Sequence, residues 1–205
     1  MADQMDMADV PTSLDLDAIL DARWADPSVF SAEEFARAER FWQQRRAEDA
    51  RLLAVRQAVT EQITAWTGRV PRDVGSLGIQ TNLETSDLDL GIGYPVAERD
   101  RLMAALDGHA TFLGERKTRF DTSRLVFGFT SGGVEIDLSA LTEEDFAVAC
   151  RMLNEIATGM SEPERIAHTW VKYLLRRAGR LEDYAAWKLV TYARFCPEFN
   201  WVPIT

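Results

Sequence analysis

Residues Val74 to Ile92 read VGSLGIQTNLETSDLDLGI, and the reading of this stretch decides the fold. Alternate side chains of an extended strand share a face, so Asp87 and Asp89 point one way while Leu88, Leu90 and Ile92 point the other. One face belongs to a core and the other to chemistry. Two carboxylates that close repel by roughly 4 kcal/mol at an effective dielectric of about 20, and Asp is poorly suited to strands. A cation between them removes the conflict. Mg²⁺ takes oxygen ligands, usually one or two carboxylates together with substrate phosphates and water.

Gly75-Ser76 lies upstream of the two carboxylates, where a short strand beginning near Val70 would end. Glycine there lets backbone approach a ligand, and a serine hydroxyl beside exposed amides can hold a phosphate. Further on, two apolar runs, Leu125 to Thr130 and Val134 to Leu138, are separated by Ser131-Gly132-Gly133, a hairpin signal. A two-residue turn at Gly132 and Gly133 pairs Ser131 with Val134 and sets Asp137 opposite Gly128. Val134, Ile136 and Leu138 then share a core face with Phe127 and Phe129. Glu135 and Asp137 share the other face with Val126, Gly128 and Thr130, where the missing side chain of Gly128 is expected to leave room for an ion or substrate.

Val74-Gly75-Ser76, a ten-residue spacer and Asp87-Leu88-Asp89-Leu90 together resemble the signature of the DNA polymerase beta-like nucleotidyltransferase superfamily. That signature is hydrophobic-Gly-Gly/Ser, about ten residues, then Asp-hydrophobic-Asp/Glu-hydrophobic. The family carries a third carboxylate on a later strand, and Asp137 matches it. The resemblance covers about residues 70 to 140 and implies an α+β (mixed) fold: a small mixed sheet flanked by helices, with a C-terminal helical bundle. It also implies that Asp87, Asp89 and Asp137 are catalytic and hold two Mg²⁺ ions, with Mn²⁺ able to substitute. Gly75 and Ser76 would hold the outgoing pyrophosphate, and Asp137 would take the acceptor's proton. The implied reaction moves a nucleoside monophosphate from a nucleoside triphosphate such as ATP to a hydroxyl. The rival from another class is a non-catalytic nucleotide-binding or protein-interaction module, antitoxin-like, on the same fold. Three intact carboxylates count against it, because a binding-only descendant has no reason to keep like charges side by side.

Basic side chains supply candidates for the triphosphate. Arg116, Lys117 and Arg119 are read as a basic loop, and Arg124 starts the hairpin. Arg165, Lys172, Arg176 and Arg180 recur at offsets of seven, eleven and fifteen, so they share one side of a helix opposite Trp170, Val171, Leu174 and Leu175. That stripe is either solvated or turned to a nucleotide. Asp183 to Lys188 is loosely similar to the Tyr-x-x-Leu-Lys helix that follows the core in GrpB-like proteins, which adds Lys188. The expected nucleotide-binding residues are thus Gly75, Ser76, Arg124, Lys172 and Lys188.

The chain has 205 residues, 46% of them hydrophobic, and a net charge of −10. It can bury a substantial core. The acidic balance disfavours nucleic acid and anionic membrane, both of which need a basic footprint, and suits a small-molecule or protein acceptor better. No apolar run reaches 18 residues and the first residues are acidic and polar, so a cytoplasmic location is expected by default. Cys150 and Cys196 have no CxxC spacing and only His109 and His168 to join them, so buried thiols are expected rather than a zinc site or disulfide.

The chain divides into a tail with a short helix (1–30, with Leu14, Leu16, Ile19 and Leu20 docking near Trp24), a nucleotidyltransferase core with a long N-terminal helix (31–140), and a C-terminal helical region (141–205). Ser31 with Glu34, Thr142 with Asp145, and Ser161 with Pro163 and Glu164 mark helix starts. Gly68 and Gly179 mark ends. The polar run Gln43 to Asp49 leaves open whether residues 35 to 66 form one helix or two. Leu181 to Phe195 reads as the last helix, with Tyr184, Trp187, Leu189, Val190 and Tyr192. Phe199 and Trp201 are expected to fold back on the body.

Overall fold

A computed structural model describes residues 14–21, 26–84, 86–117 and 123–198. The expectations for the first residues, Trp24, Arg119, Phe199 and Trp201 lie outside those. A helix α1, Leu16–Asp21, buries Ile19. The Ser31 hydroxyl accepts the Glu34 amide at 3.2 Å and so starts α2, Ala32–Thr67, 36 residues and about 54 Å long. Gly68, at φ +70°, closes it by donating its amide to the Thr64 carbonyl.

One helix therefore runs through the polar segment. Its N-terminal half places Ala38, Phe41 and Trp42 in a core with Trp170, Val171, Leu175, Tyr184 and Trp187. Its C-terminal half places Val59 and Ile63 in a second core under the sheet. Between them the helix spans the gap with side-chain hydrogen bonds: Arg46 donates to Asn82 at 2.6 Å, Asn82 donates to Asp49 at 2.9 Å, and Arg46 pairs with Asp49 at 2.8 Å. The partners of the polar run come from a loop more than thirty residues away in sequence.

Five strands form one mixed sheet: β1 (Arg72–Asp73), β2 (Leu88–Tyr94), β3 (Thr111–Lys117), β4 (Ser123–Ser131) and β5 (Val134–Thr142), in the order β1-β2-β5-β4-β3. β2 and β5 are parallel, with Asp89 level with Asp137. The β4–β5 hairpin has the expected register, Ser131 opposite Val134 and Gly128 opposite Asp137. Gly132 and Gly133 both have positive φ, which a tight two-residue turn of this hand requires. Leu88, Leu90, Ile92, Ile136, Leu138 and Ala140 are buried on one face against α2 and helix α3 (Arg99–Leu106).

The opposite face is covered by α4, Glu143–Gly159, started by the Thr142 hydroxyl accepting the Asp145 amide. Gly91 and Gly93 make room there for Phe146: a Cβ on Gly93 would lie 2.9 Å from its ring. Two helices complete the chain. The first, α5 (Glu162–Arg177), opens with a full capping box between Ser161 and Glu164. It ends in a Schellman motif, with the Arg180 amide on the Leu175 carbonyl and Gly179 at φ +73°. The last is α6, Leu181–Ala193. A third cluster of Ile79, Ile156, Met160, Tyr192 and Cys196 joins α4, α6 and the loop after β1.

Several details depart from the sequence reading. The space over Gly128 is not open: a Cβ there would meet Leu113 at 2.9 Å. Leu113 is the extra residue of a β-bulge between Phe112 and Gly114, which swings it across the neighbouring strand. Arg116 and Lys117 belong to β3 itself rather than to a loop. The last helix ends at Ala193 rather than Phe195. Cys196 is buried, but Cys150 is only half-buried. No helix among the described residues is long and apolar enough to cross a membrane.

Candidate active site

The parallel pairing of β2 and β5 carries Asp89 and Asp137 side by side, and Asp87 joins them from the residue before β2. One carboxylate oxygen from each lies within 4.8 Å of the others. The spacing suits oxygen ligation of a divalent cation. Glycine at position 75 is required sterically: a Cβ there would fall 2.1 Å from Asp89 Oδ2. Val74 donates its amide to the Asp89 carbonyl at 3.0 Å and holds the two segments together. The Gly-Ser element and the second aspartate are thus parts of one contact.

Burial pushes the Asp89 carboxyl up to about 6, and the neighbouring Asp87 and Asp137 push in the same direction, against Lys188 and Lys172. A group in that state binds a metal ion by giving up its proton.

A cavity of about 380 Å³ opens beside the carboxylates. Gly75, Ser76, Asp87 and Asp89 form one wall, and Lys117, Arg124, Lys172, Arg176 and Lys188 contribute cations. Tyr184, Tyr192, Met152, Leu153 and Ile156 supply a less polar end. Every one of Gly75, Ser76, Arg124, Lys172 and Lys188 therefore borders the same space. Arg124 donates to Ser139 Oγ at 3.0 Å, and its buried Nε has no partner among the described residues. Lys172 is only 6% exposed. Its ammonium lies 3.2 Å from the Thr81 carbonyl and 3.4 Å from Ser86 Oγ, on the loop that leads into Asp87. Burial pushes it down to about 7, with Lys188 and Arg176 adding to the effect.

The basic stripe of α5 is not unified. Lys172 and Arg176 border the cavity. Arg165 donates to the Ala157 carbonyl near the end of α4. Arg180, past the end of α5, pairs with Asp17 and Asp183. Ser139 and the two tyrosines were not among the candidates, whereas Lys117 and Arg176 were named as possible triphosphate contacts without being placed in the expected nucleotide-binding set. Ser139 was within reach of the pleat, two positions beyond Asp137 on the same face, and Arg176 lies one helical turn from Lys172. The tyrosines carried no comparable signal.

His168 lies outside the cavity, fully buried, stacked on Trp187 and Tyr192 with its Nε2 3.4 Å from the Tyr184 hydroxyl. Burial drives its pKa well down. It is a neutral core residue behind the wall of α6.

No protein-family model matches the chain, and no curated protein matches it, so the likeness to GrpB-like proteins gains no support. Solved structures do match. A chain of the GLD-2/RNP-8 complex aligns with a TM-score of 0.50 at 16% identity, covering 81% of this chain and 68% of that one. A cytoplasmic RNA terminal U-transferase aligns with a TM-score of 0.42 at 15% identity over 80% of this chain and 48% of its own. The polymerase core of TRAMP, an RNA surveillance complex, gives 0.38 at 16% over 78% and 49%. The chain thus spans about half the length of these last two. At such identities the likeness to the first is one of fold alone, a mixed α+β architecture.

Proposed function

We propose that the protein transfers a nucleoside monophosphate from a nucleoside triphosphate to a hydroxyl. The observation that carries this reading is the meeting of Asp87, Asp89 and Asp137 within 4.8 Å beside a cavity rich in cations. Three hard oxygen donors fit magnesium or manganese. When bound, the metal neutralises the phosphates and lowers the pKa of the attacking hydroxyl.

The protein's own groups divide the remaining work. Asp87 and Asp89 would hold one ion, and Asp137 would complete with them the site for a second. Arg124, Lys172, Arg176 and Lys188 face the negative charge of the β- and γ-phosphates; Lys172 is buried and the other three are half-buried, which limits the screening of that attraction by water. Ser76 and the amides at Gly75 border the same space and hold the leaving pyrophosphate. The hydroxyl oxygen bonds to the α-phosphorus and its proton passes to Asp137. The electron pair of the breaking α–β bridge leaves with pyrophosphate.

Equilibrium dialysis of each nucleoside triphosphate with and without Mg²⁺, followed by pyrophosphate release, tests the reading. The expected result is metal-dependent binding that Asp87→Asn and Asp137→Asn each weaken at least tenfold. Triphosphate binding indifferent to metal and to both substitutions would overturn it.

A further inference from the structure

A second cavity, of about 670 Å³, lies between the middle of α2, the loop before β2 and the tip of the β4–β5 hairpin. It shares Ser86 and Asp87 with the first cavity and no other residue. β5 shows how the two relate. On one face it presents Glu135, Asp137, Ser139 and Leu141, about 7 Å from each to the next. Glu135 borders the second cavity, Ser139 and Leu141 border the first, and Asp137 stands between.

The charges of the two spaces differ. The first has five cations against Asp87 and Asp89. The second has Arg45 and Arg51 against Asp49, Glu84, Asp87 and Glu135. Arg45 pairs with Glu84 at 3.3 Å and Arg51 donates to the Gly132 carbonyl at 3.2 Å, so both guanidiniums are already engaged. Phosphoryl transfer sets the attacking and leaving oxygens roughly in line on opposite sides of phosphorus. With the triphosphate among the cations, the attacking oxygen arrives from the acidic side.

We propose that the second cavity receives the acceptor, and that the acceptor is a small, unphosphorylated molecule bearing hydroxyls, neutral or with an amine. This rests on the nucleotidyl-transfer reading and adds to it the location and chemical class of the second substrate. The volume suits a compound of sugar size or somewhat larger. Glu135, exposed on the wall of this cavity, repels a phosphate-bearing acceptor and attracts an ammonium, whereas the charge of Glu84 is offset by Arg45. The hydroxyl then meets the α-phosphorus at the border marked by Asp87 and Asp137.

The test uses the full chain, Mg²⁺ and each α-labelled nucleoside triphosphate, with glucosamine, glucose, glucose 6-phosphate and an oligoadenylate as acceptor probes. Ala50→Trp, at an exposed position of α2 on the wall of the second cavity, plugs it without disturbing a core. Glu135→Lys reverses a charge at an exposed position on the opposite wall. The expected result is label on glucosamine or glucose. Ala50→Trp should raise the KM for the labelled probe at least tenfold and Glu135→Lys that for glucosamine, with triphosphate binding within twofold of the parent. Triphosphate bound with label on none of the probes overturns the acceptor assignment, and label only on the phosphorylated probes overturns it while leaving nucleotidyl transfer standing. So does transfer indifferent to Ala50→Trp. Failure to bind any triphosphate overturns both.

Discussion

The two faces of the β2–β5 pair are built from the same fourteen paired positions and serve opposite ends. On one, Leu88, Leu90, Ile92, Ile136, Leu138 and Ala140 are at most 2% exposed and pack against α2 and α3. On the other, Asp89, Gly91, Gly93, Asp137 and Ser139 give up packing for carboxylates, a close backbone approach and a cavity wall. Stability and chemistry are thus one side chain apart along each strand. Substitutions that move by a single residue should change which property is lost.

Asp89→Asn should have the largest effect. Removing one charged ligand forfeits several kcal/mol of charge stabilisation, and about 4 kcal/mol corresponds to roughly a thousandfold loss of transfer. The substitution also removes a carboxylate that burial and two neighbouring acids oppose. The variant should therefore be inactive yet no less stable than the parent in chelator. Pyrophosphate release and a denaturant midpoint, measured on one preparation, check both halves. A variant both inactive and unfolded would break the division between the faces.

Leu90→Ala, the next residue along β2, should do the reverse. A fully buried leucine truncated to alanine costs about 3 kcal/mol. Transfer per folded molecule should stay within twofold, as active-site titration against denaturant midpoint would report.

This alternation was legible in the sequence because the period of a strand is two and the Ser131-Gly132-Gly133 turn fixed the register of β5 against β4. The Gly75 to Asp89 contact was legible only as spacing, since its cause, a Cβ falling on a carboxylate oxygen, needs both segments in place. Local rules also found the caps at Ser31, Thr142 and Ser161. They did not resolve the continuity of α2, because its polar middle is completed by Asn82 and Glu84 from a distant loop. Lys172 could be placed on a helix face. Whether that face met solvent or the carboxylates depended on how α5 docks, which no periodicity encodes.

The third expectation concerns pH, in metal-free protein. The folded Asp89 pKa lies near 6, above its ordinary 3.8, so the folded state binds more protons between those values. Stability should fall as pH rises from about 4 to 6, by about 3 kcal/mol for roughly two units. Lys172 is shifted the other way, from 10.5 down to about 7, so the unfolded state holds more protons above pH 7 and stability should climb again toward pH 10. The two slopes leave a minimum between pH 6 and 7. Denaturant unfolding in chelator across pH 4 to 10 measures the profile. Asp89→Asn should flatten the acidic limb alone, and Mg²⁺ should raise the floor. A monotonic profile would show that the carboxylate face is not the strained one.

The smallest expected effect sharpens the boundary of that face. Gly128 stands opposite Asp137, and an empty space there would make it part of the metal site. The bulge in β3 instead lays Leu113 over it, so that an added methyl group would meet the Cδ1 atom at 2.9 Å. That atom is the end of a half-exposed, flexible side chain, which can turn aside through rotamer change. Gly128→Ala should therefore cost at most about 1 kcal/mol, offset in part by the reduced freedom of the unfolded chain. Metal affinity, read by Mn²⁺ titration, should stay within twofold. A tenfold loss of Mn²⁺ affinity would show that the site extends across β4 and that Leu113 moves out when the ions bind. The chemical face would then be three strands wide rather than two.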